Sequence, residues 1–183
     1  SMGKINVLSF AVANLIAAGE VVDRPASAVK ELMENSIDAG ADHITVEIQN
    51  GGVTYMRVSD DGSGIAREDV ATAFLRHATS KVHTAADLSA IRTLGFRGEA
   101  LASIAAVAQV DLTTCARGDI VGTHYCIRGG DEQIVEDAGC PEGATFEIRD
   151  LFYNIPARMK FLKKDVSEGN AVAGVVERLA LSH

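Results

Sequence analysis

The chain has 183 residues, 47% hydrophobic and 23% charged, which fits one globular domain or one large lobe with a sizeable core. Its formal net charge of −8 argues against a strong electrostatic grip on nucleic acid by this piece, because phosphate neutralisation supplies most non-specific affinity. No apolar run approaches the roughly 18 residues of a transmembrane helix, and the opening SMGKINVL lacks the basic region and long apolar run of a secretory leader.

In chain order, residues 9–22 read as a short alanine-rich helix, with Ser9 as N-cap and Gly19 near its end. Pro25 then starts a second helix that Gly40 stops, with Val29, Leu32, Met33 and Ile37 on one apolar face. Ile44–Gln49 and Val53–Ser59 alternate as strands, joined by Asn50-Gly51-Gly52. Residues 67–94 predict short helices, and a further helix runs from about Glu99 to Val107. Strands follow near 109–116, 122–128, 132–137 and 144–149, separated by glycine turns, before helices at 156–164 and 170–182. Helices early and strands late, apart from the first hairpin, predict an α+β fold: helices layered on one face of a mixed, mostly antiparallel sheet. Ser1 before Met2 looks like an expression remnant, and the apolar helix finishing at His183 suggests a piece cut from a longer protein. Cys115, Cys126 and Cys140 have no CxxC spacing and read as reduced thiols of a cytoplasmic protein. The five histidines show no metal-ligand spacing.

On the second helix Glu31, Asn35 and Asp38 fall at i, i+4 and i+7 and share one polar stripe. Glu31 has the chemistry to deprotonate a water, and the Asn35 carboxamide oxygen that of a neutral Mg²⁺ ligand; a solvated helix face has the same pattern. Asp60-Asp61-Gly62-Ser63-Gly64 is compatible with a tight turn. It is equally compatible with a pocket floor where a flat base approaches the backbone and Asp60 accepts from its amino group. Arg67 occupies the third glycine place of GxGxxG, and no GxxxxGK[ST] segment occurs, which excludes a dinucleotide fingerprint and a P-loop. Gly95, Phe96, Arg97 and Gly98 lead into a helix at Glu99, a backbone arrangement suited to an anion. Thr79, Ser80 and Lys81 offer hydroxyl and cationic contacts to phosphates, or a solvated turn. Arg158, Lys160, Lys163 and Lys164 make a basic helix face that reads as solvated surface.

Taken together, NLIAAGEVVDRPASAVKELMENSIDAGA, DDGSGI, RHATSK, LGFRGEALASIAAV, GATFEI and LFYNIPARMKFL resemble the N-terminal ATPase region of MutL-type DNA mismatch-repair proteins, over nearly the whole chain. DxGxG alone is shared with the wider superfamily of gyrase, heat-shock-90 chaperones and histidine kinases. The resemblance implies the Bergerat-type α/β sandwich with ATP and Mg²⁺ as ligands. Glu31 then corresponds to the general base, Asn35 to the metal ligand, and Asp60 to the adenine reader, helped by Thr145. Gly64 would give room for the base. Thr79, Ser80 and Lys81, with Arg97, Gly98, Glu99, Ala100 and Leu101, would belong to a lid over the phosphates.

The resemblance further implies an ATP-dependent homodimer of N-terminal regions, with an arm of about Ser1 to Val7 reaching across. Its partners would be a mismatch-recognition protein, downstream repair factors and, for the full-length protein, DNA. The family's second domain, which supplies a lysine to the γ-phosphate, would follow residue 183, so this single ATP-binding domain is expected to bind ATP with little turnover. Asp61 stands where asparagine is frequent, and Ala144 where threonine is frequent. The alternatives are a histidine-kinase-like phosphotransferase, against which no acceptor-histidine hairpin precedes the motifs, and an interaction module with a vestigial pocket.

Overall fold

A proline at the first helical position forfeits only an amide hydrogen that the helix could not use, and Pro25 opens α1 (Pro25–Asp38) in this way. The computed structural model of the chain describes residues 22–75 and 100–183. At the far end of α1, Gly40 adopts φ +75°. Its N–H donates to the Ile37 carbonyl at 2.9 Å, and the Ala41 N–H donates to the Ser36 carbonyl at 3.1 Å. These are the paired bonds of a Schellman ending. Ala28, Val29, Leu32 and Met33 are buried beneath the helix, while Ile37 is half-buried.

Two strands, β1 (Ile44–Gln49) and β2 (Tyr55–Asp60), form the expected hairpin over a 3₁₀ turn at Asn50–Gly52. Next come α2 (Arg67–Ala73) and α3 (Ala100–Ala106), then β3 (Gln109–Cys115), β4 (Gly122–Arg128), β5 (Asp131–Ala138) and β6 (Gly143–Arg149). The chain closes with α4 (Pro156–Phe161) and α5 (Asp165–Ser182). The strands lie in the order β1-β2-β6-β3-β4-β5, and every pairing among the described residues is antiparallel. The α+β two-layer architecture holds, with antiparallel pairing where a mixed sheet was also open.

Insertion of β6 between β2 and β3 sets the ends of three strands side by side. Asp60 pairs with Ala144, and Cys115 with Gly143. The period of two sends Met56, Val58, Val110, Leu112, Phe146 and Ile148 into one core with the apolar faces of the helices. The opposite face is a polar ladder across the strands. Tyr55 donates to Glu147 at 2.6 Å, Arg149 bridges Glu147 and Asp111, and His124 sits between Asp111 (2.7 Å) and Glu136 (2.9 Å). Hydrogen bonds to the Glu136 and then the Asp111 carboxylate push the His124 pKa up.

The C-terminal helices differ from the sequence expectation. Helix α4 stops at Phe161 because Leu162 turns extended (φ −69°, ψ 141°), and α5 begins at Asp165 rather than 170. Asp165 and Glu168 in the first turn of α5 suit the positive end of the helix dipole. Gly169 lies inside α5, and a glycine weakens the local helical signal. The predicted helix at 9–22, the arm at 1–7 and the segment from 76 to 99 lie outside the described residues. No helix among the described residues is long and apolar enough to cross a membrane.

Candidate functional site

A small cleft, with a cavity volume of about 20 Å³, lies where the C-terminal half of α1 meets the end of β2 and the start of β6. Asn35, Ala39, Asp60, Gly64, Ile65, Ala144 and Phe146 line it. The Asp-Asp-Gly-Ser-Gly stretch is therefore no hairpin turn: it links β2 to α2 and is stitched on all sides. Ser63 N–H donates to Ala39 O at 2.9 Å, Arg117 N–H to Ser63 O at 2.8 Å, and Ile65 N–H to Thr114 Oγ1 at 3.0 Å. The Thr114 hydroxyl in turn donates to Gly143 O at 2.6 Å, tying the loop to β6.

Asp60 is the polar centre of this cleft. Its Oδ1 accepts the Gly62 N–H at 2.9 Å and the Ala144 N–H at 3.3 Å, and its Oδ2 accepts the Ser36 hydroxyl at 2.6 Å. Burial pushes the Asp60 pKa above the usual carboxylate range, and the bonds from Ser36, Gly62 and Ala144 oppose that rise. Ser36 is itself fully buried; Leu32 O also lies near its hydroxyl at 3.2 Å, but the charged oxygen is the closer acceptor. The sequence reading missed Ser36, whose signal is a serine inside the buried stretch beside Asn35.

Asn35, one turn before Ala39, is 7% exposed, and its Oδ1 has no hydrogen-bond partner among the described residues. A buried acceptor left unmet is unfavourable unless something beyond the described residues meets it. A hard, neutral oxygen on a cleft wall suits a Mg²⁺ ion. Glu31 lies one turn further toward the helix start and is half-buried, whereas Asp38 is exposed.

Gly64 has φ +68°, and a Cβ there would run into the Cys115 carbonyl oxygen. The close approach of β3 thus demands this glycine, beyond any room it leaves for a ligand. Gly64→Ala is expected to lower stability by about 2–4 kcal/mol, read as a fall in melting temperature, because strain and overlap add. Gly143 carries the same constraint against the Asp60 carbonyl.

Three sequence-predicted residues sit elsewhere. Strand alternation turns Thr145 away from the cleft, where its hydroxyl meets Ser59 Oγ at 2.8 Å; Ala144 takes the cleft side. Ala100 and Leu101 open α3 and are buried in the core, so their side chains are packing groups. Asp61 also points away: it accepts from the Asp42 N–H at 2.8 Å, the His43 N–H at 2.9 Å and lies 2.8 Å from His43 Nδ1. Those bonds hold its carboxyl down at about 2. Thr79, Ser80, Lys81, Gly95, Phe96, Arg97, Gly98 and Glu99 lie outside the described residues.

Residues 23–134 match the sequence model of a family described as histidine kinase-, DNA gyrase B-, and HSP90-like ATPases. The chain belongs to this ATPase family. It is 53% identical to the DNA mismatch repair protein MutL of Agathobacter rectalis over 182 residues, which is 100% of this chain and 28% of that protein. It is 56% identical to the MutL of Acidobacterium capsulatum, again over 100% of this chain and 27% of the relative. The chain therefore spans less than a third of these curated relatives. Among solved structures it is similar to the Aquifex aeolicus MutL ATPase domain complexed with ADP, with a TM-score of 0.70 and 33% identity over 88% of this chain and 56% of that one. Among the described residues, Asn35, Asp60 and Gly64 of this chain line one cleft.

Proposed function

We propose that the chain is the ATP-binding and ATP-hydrolysing module of a DNA mismatch-repair protein, with adenine against Asp60, Mg²⁺ on Asn35 and the attacking water on Glu31. One observation carries it: a hydrogen-bonded, half-buried carboxylate and a carboxamide oxygen unpartnered among the described residues share a single cleft beside a helix that also bears Glu31. Asp60 Oδ1 is committed to two backbone N–H groups, so Oδ2 is the oxygen with capacity for a donor such as the adenine amino group. The Asn35 oxygen, unpartnered among the described residues, fits Mg²⁺: Asn35 would hold the ion, which would supply positive charge against the phosphates. Glu31, on the same flank, orients and deprotonates a water, a role for which a half-exposed carboxylate next to solvent is suited.

The similarity to MutL proteins supports the wider reading: weak Mg²⁺-dependent turnover in the intact cytoplasmic protein, ATP-driven pairing of two N-terminal regions, and signalling to mismatch-recognition and downstream repair factors on DNA. The acidic balance of this piece gives it little DNA affinity of its own. Titration with a non-hydrolysable ATP analogue tests the reading. Binding should raise the melting temperature, and Mg²⁺ should enlarge the shift. No shift with analogue and Mg²⁺ at millimolar levels refutes it.

A further inference from the structure

The helix that carries Glu31 and Asn35 is held at its two ends by unlike contacts. Toward its C-terminus, Ser36 grips Asp60 at 2.6 Å and Ala39 O receives the Ser63 N–H at 2.9 Å. At its N-terminus the N-cap residue, Arg24, makes no side-chain capping hydrogen bond. Arg24 instead sends Nη2 to within 3.8 Å of Glu168 Oε1 in the first turn of α5. Glu168 is 2% exposed, and neither of its oxygens has a hydrogen-bond partner among the described residues.

A carboxylate so placed is an expensive way to fill space, and an apolar side chain of similar volume would pack there at least as well. What the charge adds is ion-pair attraction to one residue, Arg24, at 3.8 Å. The surroundings leave little slack: a Cβ on Gly51 would lie 2.9 Å from Asp165 O and 3.0 Å from Glu168 Cβ, and one on Gly52 would lie 2.8 Å from Pro25 Cβ. The start of α1, the β1–β2 turn and the first turn of α5 therefore meet at one tight junction.

We infer that Glu168 is a positioning residue of the nucleotide site, acting through Arg24 to set the placement of α1 and hence of Glu31 and Asn35. This rests on the nucleotide reading above. Arg24 precedes Glu31 by two helical turns, about 10 Å, so a shift at the junction is carried along a packed, continuous helix to the metal ligand and the base. Displacements near 1 Å at such groups change rates by up to about 100-fold.

The test compares wild type, Glu168→Gln, Glu168→Asp, Arg24→Met and the double variant Glu168→Gln/Arg24→Met. Each is scored for melting temperature and for affinity to a non-hydrolysable ATP analogue with and without Mg²⁺. Glu168→Gln and Arg24→Met should each lose roughly fivefold or more of the Mg²⁺-dependent gain in affinity, with metal-free binding nearly unchanged. The double variant should lose no more than either single one, since both break the same tie. Glu168→Asp, which keeps the charge, should recover part of the gain. A lowered melting temperature with the full Mg²⁺ gain retained makes Glu168 a packing residue and overturns the inference. Should Glu168→Gln not fold, the same outcome in Arg24→Met overturns it. Wild type that binds no nucleotide overturns the nucleotide reading and this inference with it.

Discussion

Asp60→Asn is expected to weaken adenine-nucleotide binding by roughly 100-fold, about 2.7 kcal/mol, while leaving the fold standing. The two backbone N–H groups of Gly62 and Ala144 hold the Oδ1 place, so the asparagine carbonyl must occupy it. The amide nitrogen then takes the Oδ2 place and faces the adenine amino group donor to donor. Ser36 adapts, because its hydroxyl can accept as well as donate. Stability moves the other way. Burial raises the folded pKa of Asp60 above its unfolded value near 3.9, so its ionised form lowers stability, fully so above the folded pKa. That penalty shrinks as pH falls through the folded pKa and is gone below the unfolded one. Asparagine removes it, so at neutral pH the variant should melt no lower than wild type. Nucleotide affinity of wild type should decline as pH falls through the same raised pKa, where the acceptor becomes protonated. Calorimetric titration across pH, paired with melting curves, checks both signs.

Asn35→Ala and Glu31→Ala are expected to separate binding from turnover. Removing the Asn35 carboxamide takes away an unmet buried oxygen and substitutes the best helix former, so the helix should be no less stable. Metal-free nucleotide binding should survive, while the additional affinity conferred by Mg²⁺ should fall about tenfold or more. Glu31→Ala should bind nucleotide with Mg²⁺ much as wild type does, and the full-length protein carrying it should lose turnover by about 100- to 10,000-fold, the range of a general base. Equal and severe binding defects in both variants would contradict the assigned roles.

Much of this was readable from residue order alone. The 3.6-residue apolar spacing between Pro25 and Gly40 marks α1, and the glycine turns at 118, 129–130 and 139–143 separate β3, β4, β5 and β6 within a residue or two. What local patterns do not contain is pairing between distant strands: nothing near Gly143 says that β6 enters between β2 and β3, and that insertion is what brings Ala144 to Asp60. The face taken by Thr145 depends on that register, which is why its hydroxyl meets Ser59 while Ala144 lines the cleft. Asp61 looked like a variant of a pocket residue, yet it clamps the α1–β1 connection through His43. Ser36 went unnoticed because a helical serine is ordinarily unremarkable; only the three-dimensional approach of β2 makes it the donor to Asp60.

The claim beneath all of this is that Asp60 recognises an amino group on a purine. Calorimetric titration of the chain with ADP and with inosine diphosphate, whose base carries a carbonyl in place of that amino group, isolates it. ADP should bind at least about 30-fold more tightly, because the carbonyl would face the Asp60 carboxylate with no proton between them. Equal affinity for the two nucleotides would contradict the account.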